Sequence, residues 1–157
     1  MSEVLMNGAS PFSQAERELL FAYAAGVAGC EFVFIAHAEV AYARGIERGV
    51  LEQLLRDPEN ASVEARLKPV LSLVRKLSVT PSDVCQFDVD SVVSAGWDEH
   101  ASHDAISIAG RAAFMHRIAT GFGLVPLSRE MAAKHAVRRI EKGYVNVVRS
   151  FEQVDKQ

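Results

Sequence analysis

Gly29-Cys30-Glu31-Phe32-Val33-Phe34-Ile35-Ala36-His37 is the stretch whose conformation decides how the rest of the chain is read. It is apolar enough for a core, yet it carries a thiol, a carboxylate and an imidazole. As a helix it places Cys30, Val33 or Phe34, and His37 on one face, because positions three, four and seven apart share a side. Seven residues rise about 10.5 Å and close within roughly 20° of two full turns. Cys30 and His37 are therefore expected to face the same way without touching, with Val33 one turn from each. A site that uses both ends must fill the middle from a neighbouring helix, from water or from substrate.

Upstream, Ser13-Gln14-Ala15-Glu16 has the form of a capping box and predicts a helix start. Leu19, Leu20, Tyr23, Ala24 and Val27 then recur at helical spacing, and Gly26 and Gly29 end or loosen that helix. The next helix is predicted from about Cys30 to Ala43, with Gly45 as its stop, which puts Cys30 in a first turn. Residues 1–12 read as an N-terminal extension, 13–151 as one helical domain and 152–157 as a C-terminal tail.

Downstream, Gly49 to Arg56 reads as a short helix closed by the turn cluster Asp57-Pro58-Glu59-Asn60. Leu67, Val70, Leu71, Val74 and Leu77 form an apolar stripe. Pro69 fits only a first turn, so that helix is expected to begin later than the stripe suggests. Thr80-Pro81-Ser82-Asp83 reads as a loop, and Gln86 to Ala95 as a short helix ended by Gly96. Asp98 is a good N-cap for a helix from Glu99 to about Thr120. Its buried side is expected to hold Ile106, Ala109, Ala113, Met115 or His116, and Ile118 or Ala119. Pro126 and Ser128 precede a last amphipathic helix, Arg129 to about Phe151, whose solvated face includes Lys134, Arg138, Arg139, Glu141 and Lys142. No period-2 alternation bounded by turns occurs, so the expected fold class is all-α, a single-domain helical bundle.

A chain of 157 residues with 49% hydrophobic and 24% charged residues can bury one core and is not disordered. A net charge of −3, with no Lys/Arg cluster, supplies no footprint for nucleic acid or a membrane surface, and neither is expected as a partner. Two cysteines do not make a disulfide framework, and residues 1–10 have neither the basic nor the apolar part of a signal peptide. A reducing, cytoplasmic setting fits. The apolar window Leu19 to Ala36 is broken by Gly26, Gly29 and Glu31, and a buried helix pair explains it better than a membrane span.

Cys30 near a helix start sits where the dipole and free N–H groups favour a thiolate. Taken alone, an unpaired cysteine is as well explained as a small buried hydrophobe. His37 on an apolar face has the chemistry of a proton carrier, beside the plainer reading of a satisfied core histidine. Glu18 is placed to orient His37 or to serve as base, and otherwise is an ordinary first-turn glutamate. His100 and His103, three apart beside Asp98, Glu99 and Asp104, have metal-binding side chains. Asp98 and Glu99 are explained as helix-start residues, however, and the spacing implies no third ligand. No metal and no cofactor is expected.

These residues resemble the alkylhydroperoxidase D-like, carboxymuconolactone decarboxylase superfamily, and within it the peroxidase-related branch. The resemblance runs from Ser13-Gln14-Ala15-Glu16-Arg17-Glu18 through Gly29-Cys30 and His37. It continues through Ala95-Gly96-Trp97, His103-Asp104-Ala105, Phe114-Met115-His116-Arg117 and Gly121-Phe122-Gly123 to Gly143-Tyr144. The family pattern is a glutamate, eleven residues, Cys-x-x-Cys, three residues and a histidine. Glu18, Cys30 and His37 match it at full spacing, and the resemblance implies that these three are the catalytic residues.

Val33 stands where the second cysteine belongs. In the family the two thiols cycle between dithiol and disulfide while the glutamate and histidine relay a proton, so the missing thiol is the group one turn from both Cys30 and His37. His116 also stands where the family often has asparagine. The resemblance implies thiol-dependent hydroperoxide reduction, with Cys30 resolved by Cys85 or by an external thiol reductant. The alternatives are acid–base chemistry by Glu18 and His37 on a small carboxylated substrate, and a catalytically silent oligomeric binding protein. It also implies a homo-oligomer, a dimer, trimer or hexamer.

Overall fold

The computed structural model describes residues 2–152, with side chains as far as Val145. The capping box at Ser13 is formed. Ser13 Oγ accepts the Glu16 N–H at 3.2 Å, and Glu16 Oε2 accepts the Ser13 N–H at 2.7 Å. It opens α2 (Gln14–Val27), the helix around which the others are arranged. Every residue from Arg17 to Ala25 is buried, because α2 is covered on all sides by α3 (Glu31–Ala43), α4 (Val50–Arg56), α5 (Leu67–Val79) and α7 (Glu99–Gly121). A helix buried all round needs no polar stripe, and here the two polar side chains it does bury, Arg17 and Glu18, each find partners.

The turn between α2 and α3 is the local event that builds the site. Gly29, at φ 80, takes the left-handed conformation that favours glycine. The Gly29 N–H then bonds Gly26 O at 3.0 Å and the Cys30 N–H bonds Ala25 O at 2.9 Å, the paired bonds of a Schellman ending. Cys30 is thereby held at φ −94, ψ 86, so it is the N-cap of α3 rather than a first-turn residue, one position earlier than its spacing suggested. α3 runs to Ala43, and Gly45 lies just beyond its cap, as expected.

Remaining elements follow the sequence reading with local shifts. α5 begins at Leu67, with the apolar stripe, because Pro69 falls in the first turn, where its missing N–H costs no helical bond. Pro81–Asp83 is a single 3₁₀ turn rather than an irregular loop. α6 (Gln86–Ser94) ends before Gly96 at φ 93. Asp98 caps α7 by accepting the Ala101 N–H at 2.9 Å.

The buried side of α7 holds Ala101, Ala105, Ile108, Ala109, Ala112 and Ala119, whereas Ile106 is 42% exposed. Small alanines make up most of that buried side, which permits close approach of the helices packed against it. The last helix, α8 (Arg129–Glu152), packs on α3 and is broken at Gly143 (φ 70, ψ 176), which restarts it at Tyr144. Residues 2–7 form α1 (Ser2–Asn7), which touches α2, α7 and α8 and buries Met6 completely. Of the expected tail, residues 153–157 lie outside the described residues.

Among the described residues there are eight α-helices and no strand, and no helix is long and apolar enough to cross a membrane.

Candidate functional site

Glu18 reaches the α2–α3 interface from the first half of α2 and is 1% exposed. Such a carboxylate is tolerated only with hydrogen-bond partners, and it has two. Glu18 Oε2 lies 2.7 Å from His37 Nδ1, and Glu18 Oε1 accepts the Tyr144 hydroxyl at 2.5 Å. Tyr144 Oη is 3.5 Å from His37 Nδ1, so carboxylate, imidazole and phenol form one cluster drawn from α2, α3 and α8.

Phe21, one turn along α2 from Glu18, stacks on His37 with ring centroids 3.8 Å apart and planes 12° from parallel. Stacking fixes the ring, and the Glu18 contact fixes its edge.

Electrostatics define the proton positions. Burial pushes the His37 pKa below its ordinary 6.5, with Arg139 and Arg111 acting in the same direction, against the raising effect of Glu18. A neutral imidazole facing an acceptor-only carboxylate carries its proton on Nδ1 and donates it to Glu18. Nε2 then presents a lone pair and makes no hydrogen bond to a described residue. Burial first, and Glu18 second, raise the Tyr144 pKa above its ordinary 10, so the phenol stays protonated and donates. This is a carboxylate–histidine dyad with a second donor on the carboxylate, arranged to take up and return a proton at Nε2.

Cys30 is 5% exposed and stands at the N-cap of α3, seven residues before His37. Its thiol makes no hydrogen bond to Glu18, His37 or Tyr144, and Val33, buried and between them in sequence, carries only an isopropyl group. The structure thus brings Glu18 and His37 together and does not join Cys30 to them by a hydrogen bond. Cys85 is exposed at the N-cap of α6, and both cysteines are free thiols.

Tyr144 and Arg139 have no place in the spacing argument. Tyr144 is 126 residues from Glu18 in sequence, and although Gly143-Tyr144 closes the stretch that carries the resemblance, no sequence pattern assigns Tyr144 a role in the site. Arg139 is not on the solvated face. Its guanidinium lies 5.4 Å from the Tyr144 ring centroid, and it donates a long 3.5 Å bond to Ala36 O. It also borders a cavity of about 310 Å³ between α3 and α8, lined mainly by apolar side chains including Phe32, Ile35 and Leu127.

The site is a buried carboxylate–imidazole–phenol cluster inside a helical bundle centred on α2. Solved structures of this architecture include an uncharacterized peroxidase-related protein from Silicibacter sp. TM1040, with a TM-score of 0.74 and 21% identity over 80% of this chain. Another is the alkylhydroperoxidase AhpD core of an uncharacterized peroxidase-related protein from Ralstonia eutropha JMP134, with a TM-score of 0.74 and 18% identity over 80% of this chain. This chain spans 66% of the length of each. No protein-family model and no curated protein matches it. The fold is the alkylhydroperoxidase AhpD-like helical fold.

Proposed function

We propose that this chain reduces hydroperoxides through Cys30, using Glu18, His37 and Tyr144 as its proton relay and an external thiol as reductant. The observation that carries the reading is the buried Glu18 carboxylate held by His37 Nδ1 and the Tyr144 hydroxyl, which leaves His37 Nε2 without a hydrogen bond to a described residue. His37 Nε2 removes the Cys30 proton, through substrate or water across the Val33 gap. The thiolate attacks one oxygen of the hydroperoxide, the O–O bond breaks, Cys30 becomes a sulfenic acid, and the departing oxygen takes the proton back from His37 as the alcohol forms. With valine at position 33, no second thiol lies one turn away. A small thiol therefore displaces water from the sulfenic acid to give a mixed disulfide. A second thiol frees Cys30 and leaves as the oxidised disulfide. A homo-oligomer belongs to the same reading, supported by Phe87, Phe122 and Val125, each at least 75% exposed.

The test is the intact mass of wild type, Cys30→Ser and Glu18→Gln after stoichiometric hydroperoxide. Rapid addition of ~16 Da in wild type, absent in Cys30→Ser and slow in Glu18→Gln, supports the proposal. Oxidation at the rate of an ordinary cysteine, unchanged by Glu18→Gln, contradicts it.

The absence of any hydrogen bond between Cys30 and the relay favours a second reading. In it, His37 Nε2 abstracts a proton from a small carboxylated molecule anchored by Arg139. That activity survives Cys30→Ser and is lost in His37→Ala.

A further inference from the structure

We propose that His100, His103 and Asp104 form a binding site for a divalent transition-metal ion of zinc type on the first turns of α7, independent of the Cys30 chemistry. Their positions, three and four apart, set them on one side of the helix. Their ligand atoms all lie within 4.8 Å of one another. The third ligand, which spacing alone did not supply, is Asp104, and it is no ordinary surface carboxylate. It is 6% exposed, while the side chains of His100 and His103 are 57% and 75% exposed.

Ser10 explains how Asp104 is aimed. The Ser10 hydroxyl donates to Asp104 Oδ2 at 2.5 Å, tying the N-terminal segment to α7. The remaining oxygen, Oδ1, faces the two imidazoles, 3.4 Å from His103 Nδ1 and 3.6 Å from His100 Nε2. These separations are longer than good hydrogen bonds, which fall at about 2.7–3.2 Å. They approach the edge between two ligands of a tetrahedral zinc ion, about 3.3 Å for bonds of about 2.05 Å. Both imidazoles are on exposed side chains and can swing to close the remaining distance. Asp104 has Ser10 as a neutral donor and the charge of the buried Arg17 in its neighbourhood, and its Oδ1 is the oxygen open to a dication.

Donor chemistry selects the ion. Two imidazoles and one carboxylate suit Zn²⁺ and its neighbours, whereas Ca²⁺ and Mg²⁺ take oxygen ligands. Ser10 is then the outer partner that orients a ligating carboxylate. All three ligand residues line a groove of about 770 Å³ that also includes Val4, Leu5 and Phe114. The fourth coordination position therefore opens to water or to a further ligand.

The test is calorimetric titration of the chelator-stripped full chain with zinc chloride, with Co²⁺ substitution as the spectroscopic check. One equivalent is expected, raising the melting temperature, with visible cobalt bands of a nitrogen–oxygen tetrahedral site and no thiolate charge-transfer band. His100→Ala and His103→Ala should each weaken binding by at least about tenfold, and Ser10→Ala by less. Both histidines are exposed, so these variants keep the fold, which circular dichroism checks. No binding at sub-millimolar zinc would overturn the proposal. So would one equivalent retained by the His100→Ala/His103→Ala double variant, or a cobalt spectrum dominated by thiolate.

Discussion

Glu18 and Glu39 are both 1% exposed carboxylates at the ends of the same helical layer, and their partners make them opposites. Glu39 is met by two cations, Arg48 Nη2 at 2.9 Å and Arg129 Nη1 at 3.3 Å, and Arg129 continues to Glu52 at 2.8 Å. Glu52 in turn accepts the Tyr42 hydroxyl at 2.5 Å, and burial together with that carboxylate pushes the Tyr42 pKa up to about 12. Glu18 has no such cation in direct contact; its partners are a neutral imidazole and a phenol. An ion pair fixes charge and clamps the start of α8 to α3. A carboxylate among neutral donors leaves protons free to move. Under the proposed relay, that contrast assigns one buried glutamate to the scaffold and the other to the site.

The largest effect that would sharpen this contrast is kinetic. Glu18→Gln should slow hydroperoxide oxidation of Cys30 by about a hundredfold or more, the size of a general-base contribution, when followed by quenched-flow mass spectrometry. Glu39→Gln should leave that rate unchanged and lower stability instead. Equal loss of rate in both variants would erase the distinction.

Next in size is Tyr144→Phe, which strips a donor from a buried carboxylate oxygen and should cost about 1–3 kcal/mol in denaturant unfolding. Smaller again, about 1 kcal/mol, is Gly143→Ala. Its φ of 70 strains any L side chain, and its Cβ would meet Glu3 Oε2 at 2.9 Å. That Glu3 carboxylate accepts the Tyr144 N–H at 2.6 Å, so the change should also loosen Tyr144 and slow the relay.

How far the site was legible follows from what carries each part. Capping at Ser13 and Asp98, and the glycine stop at Gly29, are short-range events, and the sequence pattern locates them. The pairing of Glu18 with His37 was visible through the motif spacing that the resemblance supplied. Tyr144 enters only as part of the resemblance, and its pairing with Glu18 was not legible, because it reaches Glu18 through the packing of α8 on α3 and the break at Gly143, neither of which leaves a periodic trace. Arg139 was misread for the same reason: a cation on an amphipathic helix is ordinarily solvated, and only the position of α8 turns it toward Ala36. On α7, Ala109 and Ala119 are buried as expected, whereas Ile108 rather than Ile106 is the isoleucine turned inward.

The smallest expected effect is in the pH dependence of stability. The folded pKa of His37 is below its ordinary 6.5, so between those two values the unfolded chain binds more protons than the folded one. Stability therefore rises with pH through that window and is lost as pH falls below 6.5. His37→Gln should flatten this slope in thermal melts taken from pH 7 downward.

The most direct test of the relay is the ¹⁵N imidazole titration of His37 by NMR. The structure predicts a neutral ring at pH 7, protonated on Nδ1 with Nε2 bare, that takes up a second proton only below pH 6.5. A ring already cationic at pH 7, or a neutral ring carrying its proton on Nε2, would contradict the account.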